Sequence, residues 1–200
     1  MFGESVNITV EDIPSKPVDM EYDTKAHVSA GYYYKSPETE DNFHGAIDVS
    51  TSSQPGVKAL AMFNVVLVTG GWGPRSGWQL IMRIEDDYSN DNVDVKNWKG
   101  LYLVYYHLAK DPEEYFKKKV KGIKKSAGEA VGIVGGSGNR EGTWKPGDAD
   151  GYRLHLHLHL QPKQDSGKLG RIFNLDKFFL EKNWYKPCGY ILGKNRHELK

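Results

Sequence analysis

The sequence predicts a mainly β fold of antiparallel sheets carrying one or two short helices. Three observations predict it. Short β-branched and aromatic runs are separated by Gly, Pro, Asn and Asp, the punctuation of a strand-and-turn chain. Long helical periodicities are scarce, and 22 glycines break the chain repeatedly. Residues 155–159 read His-Leu-His-Leu-His between Leu154 and Leu160, an alternation with the period of two that belongs to a strand.

In chain order, strands are expected near Asn7–Val10, His27–Tyr34, Val57–Thr69, Trp78–Glu85, Gly100–His107, Ala130–Gly135 and Leu154–Leu160. Asp111–Lys119 starts with a proline after an aspartate and continues Glu-Glu-Tyr-Phe-Lys-Lys, which suits a short helix. Leu175–Lys182 is a second candidate helix. Asp86–Lys99 is polar and aperiodic and reads as a loop; Gly135–Gly151 is a long glycine-rich loop leading into the histidine strand. Residues 1–30 form an N-terminal extension or extra strands, 31–193 the main domain, and 194–200 a tail. No internal repeat is present.

Two hundred residues suffice for one domain with its own core. Twenty-seven basic and 26 acidic residues nearly cancel, so no footprint for nucleic acid or an anionic membrane is visible. The Lys117–Lys125 stretch is locally basic and reads as a solvated face. No apolar run approaches the roughly 20 residues that span a bilayer. The N-terminus has neither the basic start nor the apolar stretch of a secretory signal. Cys188 is the single cysteine, which excludes a disulfide framework and a thiolate cluster within one chain. A zinc ion here would have to be held by nitrogen and oxygen.

His155, His157 and His159 project from one face of their strand, with Leu154, Leu156, Leu158 and Leu160 on the other. Three imidazoles in a row gain nothing from core packing and repel one another when protonated, so a bound metal is the economical explanation. His44 and Asp48, four apart, are a histidine–carboxylate pair within reach of one ion. His107 closes an apolar strand; as a bland alternative it is a core histidine bonded to backbone. Catalytic zinc takes three protein ligands and leaves one position open.

The order of four motifs resembles the lysostaphin-type zinc metallopeptidases, which are peptidoglycan endopeptidases. The motifs are His44-x-x-x-Asp48, Tyr105-Tyr106-His107-Leu108, Gly128-Glu-Ala-Val-Gly-Ile-Val-Gly-Gly-Ser-Gly138 and the His-x-His strand. The segment Gly56–Gly70 is also similar to a hairpin of that family, and the likeness covers about residues 31–180. The resemblance implies zinc as cofactor, with His44 and Asp48 as two ligands and the second histidine of His-x-His as the third. The first histidine of that pair and His107 would be catalytic. The pair can be laid on 155/157 or on 157/159. The family follows it with an apolar residue and Glu or Gln, which His157-Leu158-His159-Leu160-Gln161 matches, so His159 is expected as the ligand and His157 as catalytic. Ala46 departs from the family's glycine, and the 86–99 and 139–153 segments are long.

The function so implied is zinc-dependent hydrolysis of peptide bonds in bacterial cell-wall cross-links, with the wall peptide as partner. Glycine-rich flanks suit a narrow substrate groove, and one of Tyr32, Tyr33 or Tyr34 would point at the oxyanion. Acting on the wall without a signal segment, the chain would be phage-released, virion-associated or part of a larger exported protein. The rival readings are a non-catalytic module that binds wall or partner, and a structural zinc domain of a virion or tail, filled by four ligands.

Overall fold

The computed structural model describes residues 14–20, 27–31, 44–89, 97–162, 173 and 175–182. The expected strand at Asn7–Val10, Tyr32–Tyr34 and the 194–200 tail lie outside them.

The strands are β1 (His27–Ala30), β2 (Ile47–Ser50), β3 (Lys58–Leu60), β4 (Val65–Gly73), β5 (Gly77–Ile84), β6 (Tyr102–Leu108), β7 (Lys124–Lys125), β8 (Ala130–Ile133) and β9 (His155–Gln161). Among the described residues there are also two short helices, α1 (Pro112–Phe116) and α2 (Asp176–Lys182). Seven strands form one antiparallel sheet in the order β1-β2-β9-β6-β5-β4-β7, and β3 pairs with β8 in a second. The long run expected over Val57–Thr69 is thus two strands in two sheets, broken at Ala61–Asn64. Both Met62 and Phe63 are fully buried in that break; an apolar run carries no mark of where a buried strand leaves its sheet.

β2 was not expected as a strand, because Ile47-Asp48-Val49-Ser50 is too short to display a period. Its alternation is nevertheless clear in the fold: Ile47 and Val49 are buried, while Asp48 and Ser50 face the other way. β9 does the same beside it, with Leu156, Leu158 and Leu160 fully buried. β6 contributes Leu103 and Tyr105, and β5 Leu80 and Met82. Burying each such side chain contributes roughly 1.5–3 kcal/mol. The small sheet and residues 61–63 belong to the same apolar cluster. Buried Tyr105 donates its hydroxyl to the Leu60 carbonyl at 2.8 Å, tying that sheet to the core face.

α1 begins where expected: Asp111 caps it by accepting the Glu113 N–H, Pro112 occupies the first turn, and Lys117 ends it in the left-handed region. α2 is held by Phe178, whose ring lies 5.2 Å from Trp98 and 6.3 Å from Tyr88. The basic stretch ends in β7, an edge strand of the large sheet; lysines there discourage pairing with another chain. Within the region expected to be an N-terminal extension, β1 pairs with β2 and Val18 bridges to Ala59.

Candidate metal centre

The polar face of the β2–β9–β6 portion of the sheet gathers the histidines. Asp48 sits directly opposite His157, and on the other side of β9 His157 sits opposite Tyr106. Strands lie about 4.8 Å apart, so Asp48, His157 and Tyr106 form one row across three strands. His44 reaches that row from the turn preceding β2. Gly45 takes φ +71° there, a value that favours glycine. Ala46, the departure from the family's motif, is buried and has no positive φ, so its backbone conformation does not call for glycine.

Three atoms converge. Asp48 Oδ1 is 3.0 Å from His157 Nδ1 and 3.2 Å from His44 Nε2, and the two nitrogens are 3.2 Å apart. His44 Nδ1 donates to the Gly31 carbonyl at 3.2 Å, which leaves Nε2 as its lone-pair nitrogen. Asp48 Oδ1 is buried, and its close neighbours are these two imidazole nitrogens, without a fully formed hydrogen bond from either. An enclosed carboxylate oxygen facing two imidazole nitrogens without such a bond suits a shared cation. Tetrahedral zinc with bonds of about 2.0–2.1 Å requires donors roughly 3.3 Å apart, close to all three separations. The donor set, two imidazoles and one carboxylate, is among those zinc takes in catalytic sites. His44, Asp48 and His157 therefore fit the ion that the sequence implied.

The geometry groups a different histidine of the run with His44 and Asp48 from the one expected. His159 was expected as the third ligand, and His157 as a catalytic residue. His157 is instead the histidine grouped with His44 and Asp48. β2 pairs with β9 from His155 to Leu158 and no further, so nothing on β2 lies opposite His159. Its neighbour on the other side is Val104, and its buried ring packs edge-on to Tyr106 at 5.2 Å. Burial first, and then nearby His157, push its pKa down to about 3.

His155 and His107 flank the triangle. His155 Nδ1 donates to the Arg153 carbonyl at 2.7 Å, and its Nε2 is 3.7 Å from Asp48 Oδ1. The His107 ring is 4.7 Å from that of His155 and 5.6 Å from that of His157. His107 Nδ1 donates to the Ser137 carbonyl at 2.8 Å. Plain alternation from Leu103 and Tyr105 would send His107 into the core. A bulge prevents this: Trp78 pairs with Leu108 and Leu80 with Tyr105, so Tyr106 and His107 together oppose Gln79. His107 takes φ +60° in that bulge, a conformation that non-glycine residues rarely hold without a surrounding structure to enforce it. Tyr106 and His107 thus reach one site from adjacent positions, and Leu108 takes the core place.

The electrostatics are strongly coupled. Burial alone would raise the Asp48 carboxyl, but His44, then its hydrogen-bonding contact with His157, hold it well below the usual carboxylate range. Burial lowers His44, and Asp48 more than reverses this, so its pKa is raised. Burial keeps His157 lowered despite Asp48. His107 falls to about 3, from burial first and then from His155 and His157, so it is neutral at physiological pH. Tyr106 stacks on His157 with ring centroids 5.0 Å apart and 16° between planes. Tyr152 lies 4.4 Å from the His107 ring. Sequence reasoning did not assign either tyrosine, or Ser137; Tyr106 stands beside a motif histidine, whereas nothing local marks Tyr152 just after the glycine-rich loop.

No family model and no curated protein matches the chain. Solved structures do. A putative glycyl-glycine endopeptidase from Ruminococcus gnavus matches with a TM-score of 0.58 at 20% identity, over 90% of this chain and 64% of that one. The catalytic domain of lysostaphin, an antimicrobial peptidase from Staphylococcus simulans, gives 0.51 at 21% identity, over 80% of this chain and 92% of that one. A zinc-containing peptidase from Vibrio cholerae gives 0.47 at 19% identity, covering 72% of this chain. The chain spans 35% of the length of the Vibrio protein and just under two thirds of the Ruminococcus one. The fold is therefore that of the lysostaphin-type peptidases, as the motifs implied.

Proposed function

We propose that the protein is a zinc metalloendopeptidase that hydrolyses peptide bonds in bacterial peptidoglycan cross-links, acting at the cell wall. The observation that carries this reading is the triangle of His44 Nε2, Asp48 Oδ1 and His157 Nδ1 with two uncoordinated histidines beside it. In this reading His44, Asp48 and His157 are the ligands, and His155 and His107 the catalytic pair. Three donors leave one position of a tetrahedron for water or substrate, whereas a structural zinc site is filled by four protein ligands. His155 Nε2, at 3.7 Å from Asp48 Oδ1, stands outside the group of three.

Bound zinc supplies Lewis acidity, polarising the scissile carbonyl and lowering the pKa of an attacking water. The chain supplies the proton chemistry. Both His155 and His107 commit Nδ1–H to a backbone carbonyl, so each presents Nε2 as a lone pair that can accept a proton. His155 Nε2 lies nearer the carboxylate, which stabilises the imidazolium formed when it takes the water's proton. That proton then passes to the leaving amine. His107, buried and held neutral beside His155 and His157, positions the reacting groups by hydrogen bonding through Nε2. Tyr106, stacked on His157, holds that ring edge-on to His44.

Mass spectrometry of fragments released from purified peptidoglycan of several cross-bridge chemotypes tests the proposal and names the bond. Zinc-loaded protein is expected to release peptides with a new amino terminus at the cross-bridge, and chelation or His44→Ala to abolish release. Intact wall from every chemotype after incubation with zinc-loaded protein would overturn it in favour of a wall-binding or structural domain.

A further inference from the structure

Ser137 is fully buried in the loop after β8, and it is the junction of three elements. Its carbonyl accepts His107 Nδ1–H at 2.8 Å. Its hydroxyl donates to the Leu108 carbonyl at 2.7 Å and accepts the Trp78 N–H at 2.9 Å. Leu108 and Trp78 are the pair that closes the bulge holding His107. The hydroxyl therefore bridges the two strands at the step where β6 departs from regular pairing, and the carbonyl of the same residue holds the imidazole that the bulge presents. The other side of the bulge is held by the His107 N–H, which donates to the Ser76 carbonyl at 2.9 Å.

The surroundings leave Ser137 nowhere else to go. Gly77 has φ +62°, and a Cβ there would lie 2.2 Å from both the carbonyl oxygen and the hydroxyl of Ser137. Gly138 has φ +93°, and a Cβ there would lie 2.4 Å from the Arg75 carbonyl. Backbone meets backbone on both sides, a contact that only glycine allows. A residue at φ +60° persists only where its surroundings over-determine it. The donors and acceptors around Ser137 supply that determination.

We propose that Ser137 is the positioning residue for His107: its hydroxyl pins the β5–β6 bulge, and its carbonyl fixes the Nδ1–H tautomer with Nε2 unprotonated. The histidine's catalytic role rests on the function proposed above, but its tautomer does not. Two readouts separate the ideas.

The first is the side-chain ¹⁵N–¹H spectrum of wild-type, zinc-loaded protein. His107 is expected as a single tautomer protonated at Nδ1, with slow exchange of that proton. Protonation at Nε2, or rapid exchange between tautomers, overturns the proposal without any substitution. The second is Ser137→Ala, which removes the hydroxyl and keeps the carbonyl. It is expected to retain zinc, to mix the two His107 tautomers, and to lower kcat on wall peptide roughly 10–100-fold with little change in KM, as part of an acid–base group's 10²–10⁴-fold contribution. Ser137→Thr keeps the hydroxyl and is expected to restore the single tautomer. A folded Ser137→Ala with an unmixed His107 signal would show that the hydroxyl does not position the ring. If wild-type protein proves inactive on every wall while Ser137→Ala still mixes the tautomers, the positioning stands and the proposed function falls.

Discussion

Each histidine of the 155–159 run has its own neighbours, and these predict distinct phenotypes. His157 shares a triangle with His44 and Asp48, so His157→Ala should lose most bound zinc. His159 stands outside it against Val104 and Tyr106, so His159→Ala should keep the metal. His155→Ala should keep it too, while losing rate by roughly 10²–10⁴-fold, the range for a positioned acid–base group. Zinc per chain, measured after dialysis for the three variants, decides the matter; loss of metal from His159→Ala would restore the 157/159 register. Two of the buried histidines, His107 and His159, set an acid limit on stability. His107 and His159 have folded pKa values of about 3, against about 6.5 unfolded. Between those values the unfolded chain binds more protons, so this stability is complete above about 6.5 and is lost as pH falls toward 3. Asp48, held low, adds a loss in the same sense at more acid pH. His44, raised, acts oppositely, its share present below 6.5 and lost as pH rises through its folded value. The melting temperature of metal-free protein should therefore fall from pH 7 to 4, and His159→Leu should flatten that fall. Melts across that range in chelator would show it; an identical slope in His159→Leu would count against burial as the cause.

At the scale of the element, β9 works on two faces with different tasks. Leu158 is fully buried between Ile47 and Tyr105 on the flanking strands. Truncating it leaves a cavity, so Leu158→Ala should cost about 2–5 kcal/mol with zinc stoichiometry unchanged in the folded fraction. His155→Ala, one face over, should unfold within about 1 kcal/mol of wild type. Urea titrations of the two variants should differ accordingly, and equal midpoints would mean that the two faces are not divided as described. The β4–β5 turn shows the other kind of constraint. Gly77→Ala would place a Cβ 2.2 Å from the Ser137 carbonyl at φ +62°. Strain of about 1–3 kcal/mol from backbone alone adds to that collision, and lowered thermal stability together with lost activity is expected.

Across the whole molecule, one apolar cluster joins the large sheet, the small sheet, residues 61–63 and α2, while the other face of the large sheet carries the His44–Asp48–His157 group. Phe178 joins α2 to this arrangement through Trp98 and Tyr88. It is fully buried, so Phe178→Ala should cost about 3–5 kcal/mol. A chemical denaturation midpoint indistinguishable from wild type would show α2 to be an appendage instead of part of the domain. The Phe63, Tyr88 and Trp98 rings extend the contact, with centroids 5.2–5.4 Å apart.

Much of this was legible in the chain because period and punctuation are local properties. The alternation at 154–160 places leucines and histidines on opposite faces of β9; Asp111-Pro112 starts α1; and the spacing of His44 and Asp48 lets their side chains meet. The motif order was enough to indicate the fold. Three matters were beyond a local reading. The Val57–Thr69 run divides between two sheets, since both halves are equally apolar. His107 escapes the core through a bulge whose evidence is the pairing of Trp78 with Leu108, residues far apart in sequence. The choice among three equivalent histidines depends on which of them faces Asp48 across a strand boundary. Period two makes His155, His157 and His159 identical in orientation; only the register of β2 against β9, ending at Ile47 opposite Leu158, gives His157 the carboxylate and denies it to His159.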